Sequence, residues 1–262
     1  MLIIFIYMPE NYTRPKISAL AITYNEEENV ERYVKGLSFA DEIIFIDSYS
    51  TDKTIEYAQE YNVKVIQNKF IDFSTQRNFA IAQASYDWIL FFDLDEVVTP
   101  QLEKEIKQAV DKKNDVVAYF VKRKFHFMGR YIRYGGWQND KAIRLFNKQY
   151  CRYTGLVHEV IETRGKVSCL KEQVDHYSYK SFDNYNNKLN MYSRLQAETL
   201  YAKRKRPGGY HFFIRPIYRF LWQYIYRLGM LDGKEGFILA YIHSFSVFKR
   251  YLQLWMKYRK IE

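Results

Sequence analysis

Apolar residues in this chain fall into short runs separated by polar turns, and the spacing within the runs alternates between two periods. Ile17-Ser18-Ala19-Leu20-Ala21-Ile22-Thr23 is a nearly continuous apolar run and reads as a buried strand. After Tyr24-Asn25-Glu26-Glu27-Glu28-Asn29, the residues Val30, Val34 and Leu37 recur at helical spacing as far as Ser38. Glu42 to Ile46 is a second strand, closed by Asp47-Ser48-Tyr49-Ser50-Thr51-Asp52, where Ser50 or Thr51 can cap a helix through Ala58. Val63 to Ile66 is a third strand, and a helix from Phe73 to Ala84 carries Gln76-Arg77-Asn78. The fourth strand, Trp88 to Phe92, is apolar at every position and delivers Asp93, Asp95 and Glu96 before a helix that starts near Pro100. Strands alternating with helices predict right-handed βαβ units and an α/β fold built on a mainly parallel central sheet flanked by helices.

Further along, Val116 to Phe127 suits one long strand and Lys141 to Phe146 another, with a loop through Met128 to Ile132 and Gly135-Gly136-Trp137. Gly155 to Glu159 ends a further short strand. From Ser181 to Lys205 the spacing is helical, and Lys203-Arg204-Lys205-Arg206-Pro207-Gly208-Gly209 stops it. Two more helices follow, His211 to Leu228 and Phe237 to Lys260. In the first, Arg215, Arg219, Gln223 and Arg227 form a narrow polar stripe, and Pro216 is expected in the first turn. The predicted division is therefore an α/β domain over 1–180 and a C-terminal α-helical extension over 181–262.

Composition sharpens this division. Of the net charge of +10, all is accounted for by Tyr201 to Glu262, with 13 Lys+Arg against 3 Asp+Glu. The same region is rich in Phe, Tyr and Trp, so the asymmetry points to an anionic partner, either a membrane surface or nucleic acid. A basic stripe on an apolar, aromatic helix is what an interfacial membrane helix requires, and residues 203–260 are read as attaching to an anionic membrane surface. The plainer alternative is a helical hairpin packed on the catalytic domain with its cations in water. Nucleic acid is set aside because an acidic crevice repels phosphate. No stretch suits a transmembrane span, and Met1 to Met8 is too short and lacks signal-peptide features, so it reads as an extra strand or a poorly ordered start. Two cysteines, Cys151 and Cys169, suggest no disulfide framework and place the chain in a reducing cytoplasm.

Candidate chemistry lies after strands one, two and four, in Tyr24, Asn25 and Glu26, in Asp47, and in Asp93 and Asp95. In a parallel sheet these loops share the carboxyl edge, where open α/β folds bind ligands. Ordinary polar turns are the alternative, weakened by the convergence of all three. In an extended segment Asp93 and Asp95 point the same way and can share Mg²⁺ or Mn²⁺. A solvated acidic turn before a helix is the plainer reading of that pair. No Gly-x-Gly-x-x-Gly or Walker loop is present, so dinucleotide and P-loop chemistry are excluded.

Four stretches in this order, Ala21-Ile22-Thr23-Tyr24-Asn25-Glu26-Glu27, Ile46 to Thr54, Gln76-Arg77-Asn78 and Phe92-Asp93-Leu94-Asp95-Glu96, resemble glycosyltransferase family 2. That resemblance implies a GT-A nucleotide-sugar-binding fold. By position, Thr23, Tyr24, Asn25 and Glu26 would line the nucleoside pocket, Asp47 would bind the base, and Arg77 and Asn78 would serve the nucleotide. Asp93 would sit by the ribose and metal, and Asp95 would ligate the metal. Tyr49 departs from the pattern, since relatives often carry Gly or Asn there, and the change bears on that turn's shape. Trp137, Asp140, Arg144-Leu145-Phe146 and Val157-His158-Glu159 resemble the subgroup that includes bacterial lipopolysaccharide-core β-glucosyltransferases.

The resemblance implies a metal-dependent inverting transfer of a hexose, expected to be glucose from a UDP-linked donor, to a lipid-linked saccharide acceptor on the inner face of the plasma membrane. A polyprenyl phosphate acceptor is the alternative. Inverting transfer needs a base that removes the acceptor hydroxyl proton. Glu159, at a strand end and matching the family's late acidic position, is the first choice and Asp140 the second. For Asp140 the structural alternative is an ion pair with Arg144, four residues on. His158 is a candidate contact to metal or phosphate.

Overall fold

A computed structural model describes residues 14–112, 114–155, 160–177 and 182–261, and the chain divides into two compact units. The expected strand at Met1 to Met8 lies outside the described residues. The first unit comprises the chain to Lys122 together with Lys141–Val174, and the second Arg123–Asp140 with Asp175–Glu262.

In chain order the elements are β1 (Ile17–Thr23), α1 (Glu27–Gly36), β2 (Glu42–Asp47), α2 (Thr54–Glu60), β3 (Lys64–Gln67), α3 (Phe73–Gln83), β4 (Trp88–Phe91), β5 (Glu96–Val97) and α4 (Pro100–Asp111). These are followed by β6 (Val116–Phe127), β7 (Arg130–Ile132), β8 (Lys141–Asn147), β9 (Cys151–Thr154), β10 (Val160–Thr163) and β11 (Lys166–His176). The helices α5 (Phe182–Ala202), α6 (Gly209–Leu221) and α7 (Gly233–Arg259) close the chain. The main sheet runs β3-β2-β1-β4-β8-β6-β11-β5, and β9 pairs with β10 in a separate ribbon.

From β3 to β4 the sheet is parallel, as the βαβ pattern predicts. Beyond β4 it turns antiparallel, with β8 against β4 and β6 against β8. The expected mainly parallel sheet is thus a mixed one, because no α-helix separates β6 from β8 to carry a parallel crossover. Period two sorts the strand side chains into two cores. Phe45, Leu90 and Phe92 pack under α1 and α4 with Val30, Tyr33, Leu102 and Ile106. Leu20, Ile44, Ile89 and Phe91 face the other way, onto Ala80 of α3, Phe146 and Tyr153. Thr99 caps α4 by accepting from the Leu102 amide, with Pro100 in the first turn.

Two local expectations change. The loop assigned to Met128–Ile132 contains β7, which pairs with the end of β6 through Phe125 and Ile132. Pro216 lies inside α6 rather than in its first turn, because the helix begins at Gly209. The carbonyl of Pro216 accepts from the Ser244 hydroxyl at 2.7 Å.

The second unit is held by aromatic packing of Phe125, Phe127, Ile132, Tyr185 and Leu239, and by Ala197, Val247, Tyr251 and Leu254 between helices. A π-helical turn over Trp222–Tyr226 follows α6, and a short 3₁₀ turn, Gly229–Asp232, leads into α7. The approach there is close: a Cβ on Gly236 would stand 1.8 Å from the Gly229 carbonyl oxygen.

The polar stripe on α6 exists and borders α7, with Gln223 buried and Arg219 half-buried, while Arg215 stays exposed. Arg215 donates to the Tyr251 hydroxyl, Gln223 is buried, and Arg219 lies 3.2 Å from His243 Nδ1. His243 is bonded to Tyr185 through Nε2 at 2.5 Å and to Gln223 Oε1 through Nδ1 at 2.8 Å. Burial, with the Arg219 charge beside it, depresses the His243 imidazole to about 4 from its ordinary 6.5. A histidine held neutral stabilises the fold fully above its unfolded pKa and loses that contribution as pH falls through the folded value. Between pH 6.5 and 4 the unfolding free energy is therefore expected to fall by on the order of 3 kcal/mol, a loss that His243→Gln should largely remove in urea titrations at the two pH values.

Candidate functional site

The parallel register places the ends of β1 and β2 side by side, with Thr23 opposite Asp47. Asp47 is fully buried and its carboxylate accepts from the Thr23 hydroxyl at 2.9 Å, the Ser50 amide at 2.8 Å and the Ser50 hydroxyl at 2.5 Å. Ser50 Oγ in turn accepts from the Asn25 amide at 2.9 Å, and Asn25 Oδ1 accepts from the Thr51 amide at 2.8 Å. The Glu26 amide donates to Thr54 Oγ1, and the Glu27 amide to Asp52. The two loops are thus laced together into one wall. Asp52, rather than Ser50 or Thr51, accepts from the first amide of α2, at Thr54. Although burial opposes it, the Thr54 and Glu27 donors hold the Asp52 carboxyl below its ordinary value.

Tyr24 and Tyr49 stand exposed on this wall. Asn25 and Tyr49 both take left-handed backbone, at φ 54° and 61°. Asn tolerates that region through its short polar side chain, whereas Tyr does not. The turn keeps a glycine-type shape and Tyr49 carries the strain. Tyr49→Asn is expected to raise the unfolding free energy by about 1 kcal/mol, read as a higher urea midpoint with unchanged slope.

At the end of β4 the geometry differs from the extended one expected. The strand stops at Phe91, and the chain turns so that the Glu96 amide bonds the Asp93 carbonyl at 2.9 Å. Alternation therefore does not continue through Asp93 and Asp95. Asp93 is clamped: Arg77 Nη2 donates to Oδ1 at 2.9 Å and Arg144 Nη2 donates to Oδ2. Arg144 also donates to Glu96 Oε1 at 2.8 Å, and Glu96 Oε2 accepts from the Asp93 amide at 3.1 Å. Arg77, Glu96 and Arg144 are buried. Burial opposes the Arg144 charge, yet Asp93 and Glu96 outweigh it and raise the guanidinium well above its ordinary value. Tyr33, between these charges, is pushed up chiefly by burial and then by Asp93 and Glu96.

From α3, Gln76 accepts from the Asn68 side chain at 2.7 Å and reaches Ser48, bracing the β2 loop. Arg77 lies over the rings of Phe91 and Tyr153, 4.9 and 5.2 Å from their centroids. Asn78 bonds both the amide and the carbonyl of Tyr153, at 3.0 and 2.8 Å, and so substitutes for a neighbouring strand along β9. Glu96 and Tyr153 were given no role by motif, and Ser50 only that of a helix cap. For Glu96 the available signal was an acid directly after Asp-x-Asp.

Of the residues predicted for the site, Thr23, Asn25, Glu26 and Asp47 are joined by hydrogen bonds between the β1 and β2 loops, and Arg77, Asp93 and Arg144 form one ion cluster. The ion pair considered between Asp140 and Arg144 is replaced by one between Asp140 and Arg123 at 2.5 Å, within the second unit. Trp137, also there, stacks on Phe125 with centroids 3.9 Å apart. His158 and Glu159 lie outside the described residues.

A divalent cation of the Mg²⁺ type takes one or two carboxylates and completes its shell with phosphate and water oxygens. Each oxygen of Asp93 accepts from one guanidinium group, and the half-buried Asp95 lies in the turn itself, so these are the two carboxylates at hand for such an ion. No cluster of three metal-binding side chains occurs among the described residues. One carboxylate with a substrate diphosphate meets the requirement without one.

Residues 18–161 match the family model described as glycosyl transferase family 2. An "uncharacterized glycosyltransferase" of Rickettsia bellii is 30% identical over 253 residues, covering 91% of this chain and 86% of the relative. The lipopolysaccharide core biosynthesis glycosyltransferase LpsC of Rhizobium meliloti is 25% identical over 250 residues, covering 90% of this chain and 93% of its own. Among solved structures, the mannosyltransferase PcManGT of Pyrobaculum calidifontis, in complex with GDP-Man and Mn²⁺, superposes with a TM-score of 0.51. It is 14% identical, with 95% of this chain and 90% of that one covered, and the likeness establishes the GT-A-type α/β fold.

Proposed function

The chain belongs to glycosyl transferase family 2, and from that membership we propose that it is a metal-dependent, inverting hexosyltransferase acting on a bacterial surface glycolipid. The donor is a nucleotide diphosphate sugar, UDP-glucose in the first instance, and the acceptor a lipid-linked saccharide such as lipopolysaccharide core. The observation that carries this reading is the convergence of the laced β1 and β2 loops and the β4 turn at one sheet edge. Such an edge binds nucleotides across the carboxyl ends of the strands.

Thr23, Tyr24, Asn25 and Glu26 would line the nucleoside pocket, with Asp47 holding the wall in shape as much as meeting the base. Arg77 and Arg144 fix Asp93 against the turn, so that Asp95 is presented to the diphosphate. A bound Mg²⁺ or Mn²⁺ there would offset the charge of the departing diphosphate. Glu159 is assigned the proton of the acceptor hydroxyl, with Asp140 as the alternative. The lipid-linked acceptor is supported by LpsC, whose description places it in lipopolysaccharide core biosynthesis. Attachment to an anionic membrane surface through residues 203–260 fits such an acceptor, on the cytoplasmic face where nucleotide sugars are made.

The reading is tested by incubating the protein with labelled UDP-glucose, Mn²⁺ and membrane lipids. Label in a saccharide-bearing glycolipid is the expected outcome. Label in polyprenyl phosphate would move the acceptor to that class, and no transfer from any of UDP-, GDP-, ADP- or dTDP-hexoses would refute the reading.

A further inference from the structure

Arg219 and Gln223 turn toward α7 and the exposed Arg215 reaches the Tyr251 hydroxyl on it, which leaves the opposite side of α6 to solvent, and that side is apolar. Phe213 is 70% exposed, Ile217 58% and Tyr218 60%, with Ile214 and Leu221 beside them. At positions 213, 214, 217, 218 and 221 these residues form one face of the helix. For a water-soluble hairpin this is an unusual helix, with Arg219 and Gln223 turned toward α7 and five large apolar side chains outward. Contiguous exposed apolar surface of this kind marks an interaction site.

The face continues onto α7 through the exposed Tyr241 and Phe245. With Pro216 and Phe248 these line a cleft of about 250 Å³ whose hydroxyl, Ser244, is already spent on the Pro216 carbonyl. The cleft accordingly asks for hydrocarbon rather than a polar ligand. Immediately before α6, Lys203, Arg204, Lys205 and Arg206 are all exposed. A second copy of the chain would bring two regions of +10 charge together, which disfavours self-association through this face. An anionic bilayer matches both features, with hydrocarbon for the face and headgroup phosphates for the cations. No helix among the described residues is long and apolar enough to cross a membrane.

We propose that α6 lies in the plane of an anionic membrane with its Phe213–Leu221 face sunk into the boundary between headgroups and acyl chains, while Lys203–Arg206 hold the headgroups. Attachment is then chiefly hydrophobic insertion, and Arg219, held beside His243, takes no part in it. This rests on the membrane attachment proposed above and specifies the surface that makes it.

The test uses the full chain and sedimentation with phosphatidylcholine–phosphatidylglycerol vesicles at low salt and at about 1 M salt, where the screening length falls to about 3 Å. The wild type is expected to bind at low salt and to lose less than about tenfold in partitioning at high salt. Phe213→Glu with Ile217→Glu should lower partitioning by at least about tenfold at both, given what burying two such side chains contributes. Lys203→Ala with Arg204→Ala should weaken binding at low salt alone. Circular dichroism and UDP binding should be unchanged in both double variants, since neither touches the nucleotide edge. Binding abolished by high salt and indifferent to Phe213 and Ile217 would overturn the insertion and leave electrostatic attachment standing. No binding to any vesicle would overturn attachment itself, and a wild-type dimer made monomeric by the glutamates would assign the face to a second copy. Hexose transfer is assayed separately and survives either failure.

Discussion

Arg144→Met should lower the unfolding free energy by about 3–5 kcal/mol, the range for removing one partner of a buried ion pair. Arg144 is 4% exposed and bridges Asp93 and Glu96, and Glu96 is itself 1% exposed. Met fills much of the same volume, so packing changes little while the compensating charge is lost. Glu96 must then stay ionised in a dry site, take up a proton, or open the turn to water. The companion Glu96→Gln in the Arg144→Met background should recover part of the loss, which a double-mutant cycle in urea reads directly. A loss below about 1 kcal/mol would show that the cluster is worth no more than a surface pair. Nucleotide binding should weaken in the same variant, because Asp93 would then be held from one side alone.

Glu159→Gln should reduce hexose transfer by about 10²–10⁴-fold, the usual worth of a positioned general base, while leaving donor binding within about twofold of wild type. The amide keeps the shape of the side chain and removes the basic oxygen. Asp140 is the competing assignment, and its carboxylate is bonded through Oδ1 to Arg123 at 2.5 Å. Near-normal turnover in Glu159→Gln together with a comparable collapse in Asp140→Asn would transfer the role to Asp140.

The parallel half of the sheet was readable in the sequence because its strands are buried on both faces. Ile17–Thr23, Glu42–Asp47 and Trp88–Phe91 announce themselves as apolar runs, with the helices between them spaced at 3.6. The antiparallel half was legible strand by strand but not in direction, since direction depends on which partner each strand finds. At the site, residue identity was visible and bonding was not. An Asp-x-Asp after a buried strand looks the same whether or not two arginines meet its first carboxylate. Only the approach of Arg77 from α3 and Arg144 from β8 decides, and those contacts span 16 and 51 residues. The same limit applied to α6. Four-residue spacing fixed a polar stripe, but which way it faced depended on Tyr251 and His243, 36 and 24 residues from the arginines they meet.

Titration of UDP-glucose into wild type and Asp95→Ala, each with and without Mn²⁺, tests most directly whether the turn after β4 presents one carboxylate to a metal-bound sugar diphosphate. Mn²⁺ should tighten donor binding to the wild type by at least about tenfold, and Asp95→Ala should remove this gain. Equal affinity with and without the metal, or a full Mn²⁺ effect in Asp95→Ala, would contradict this.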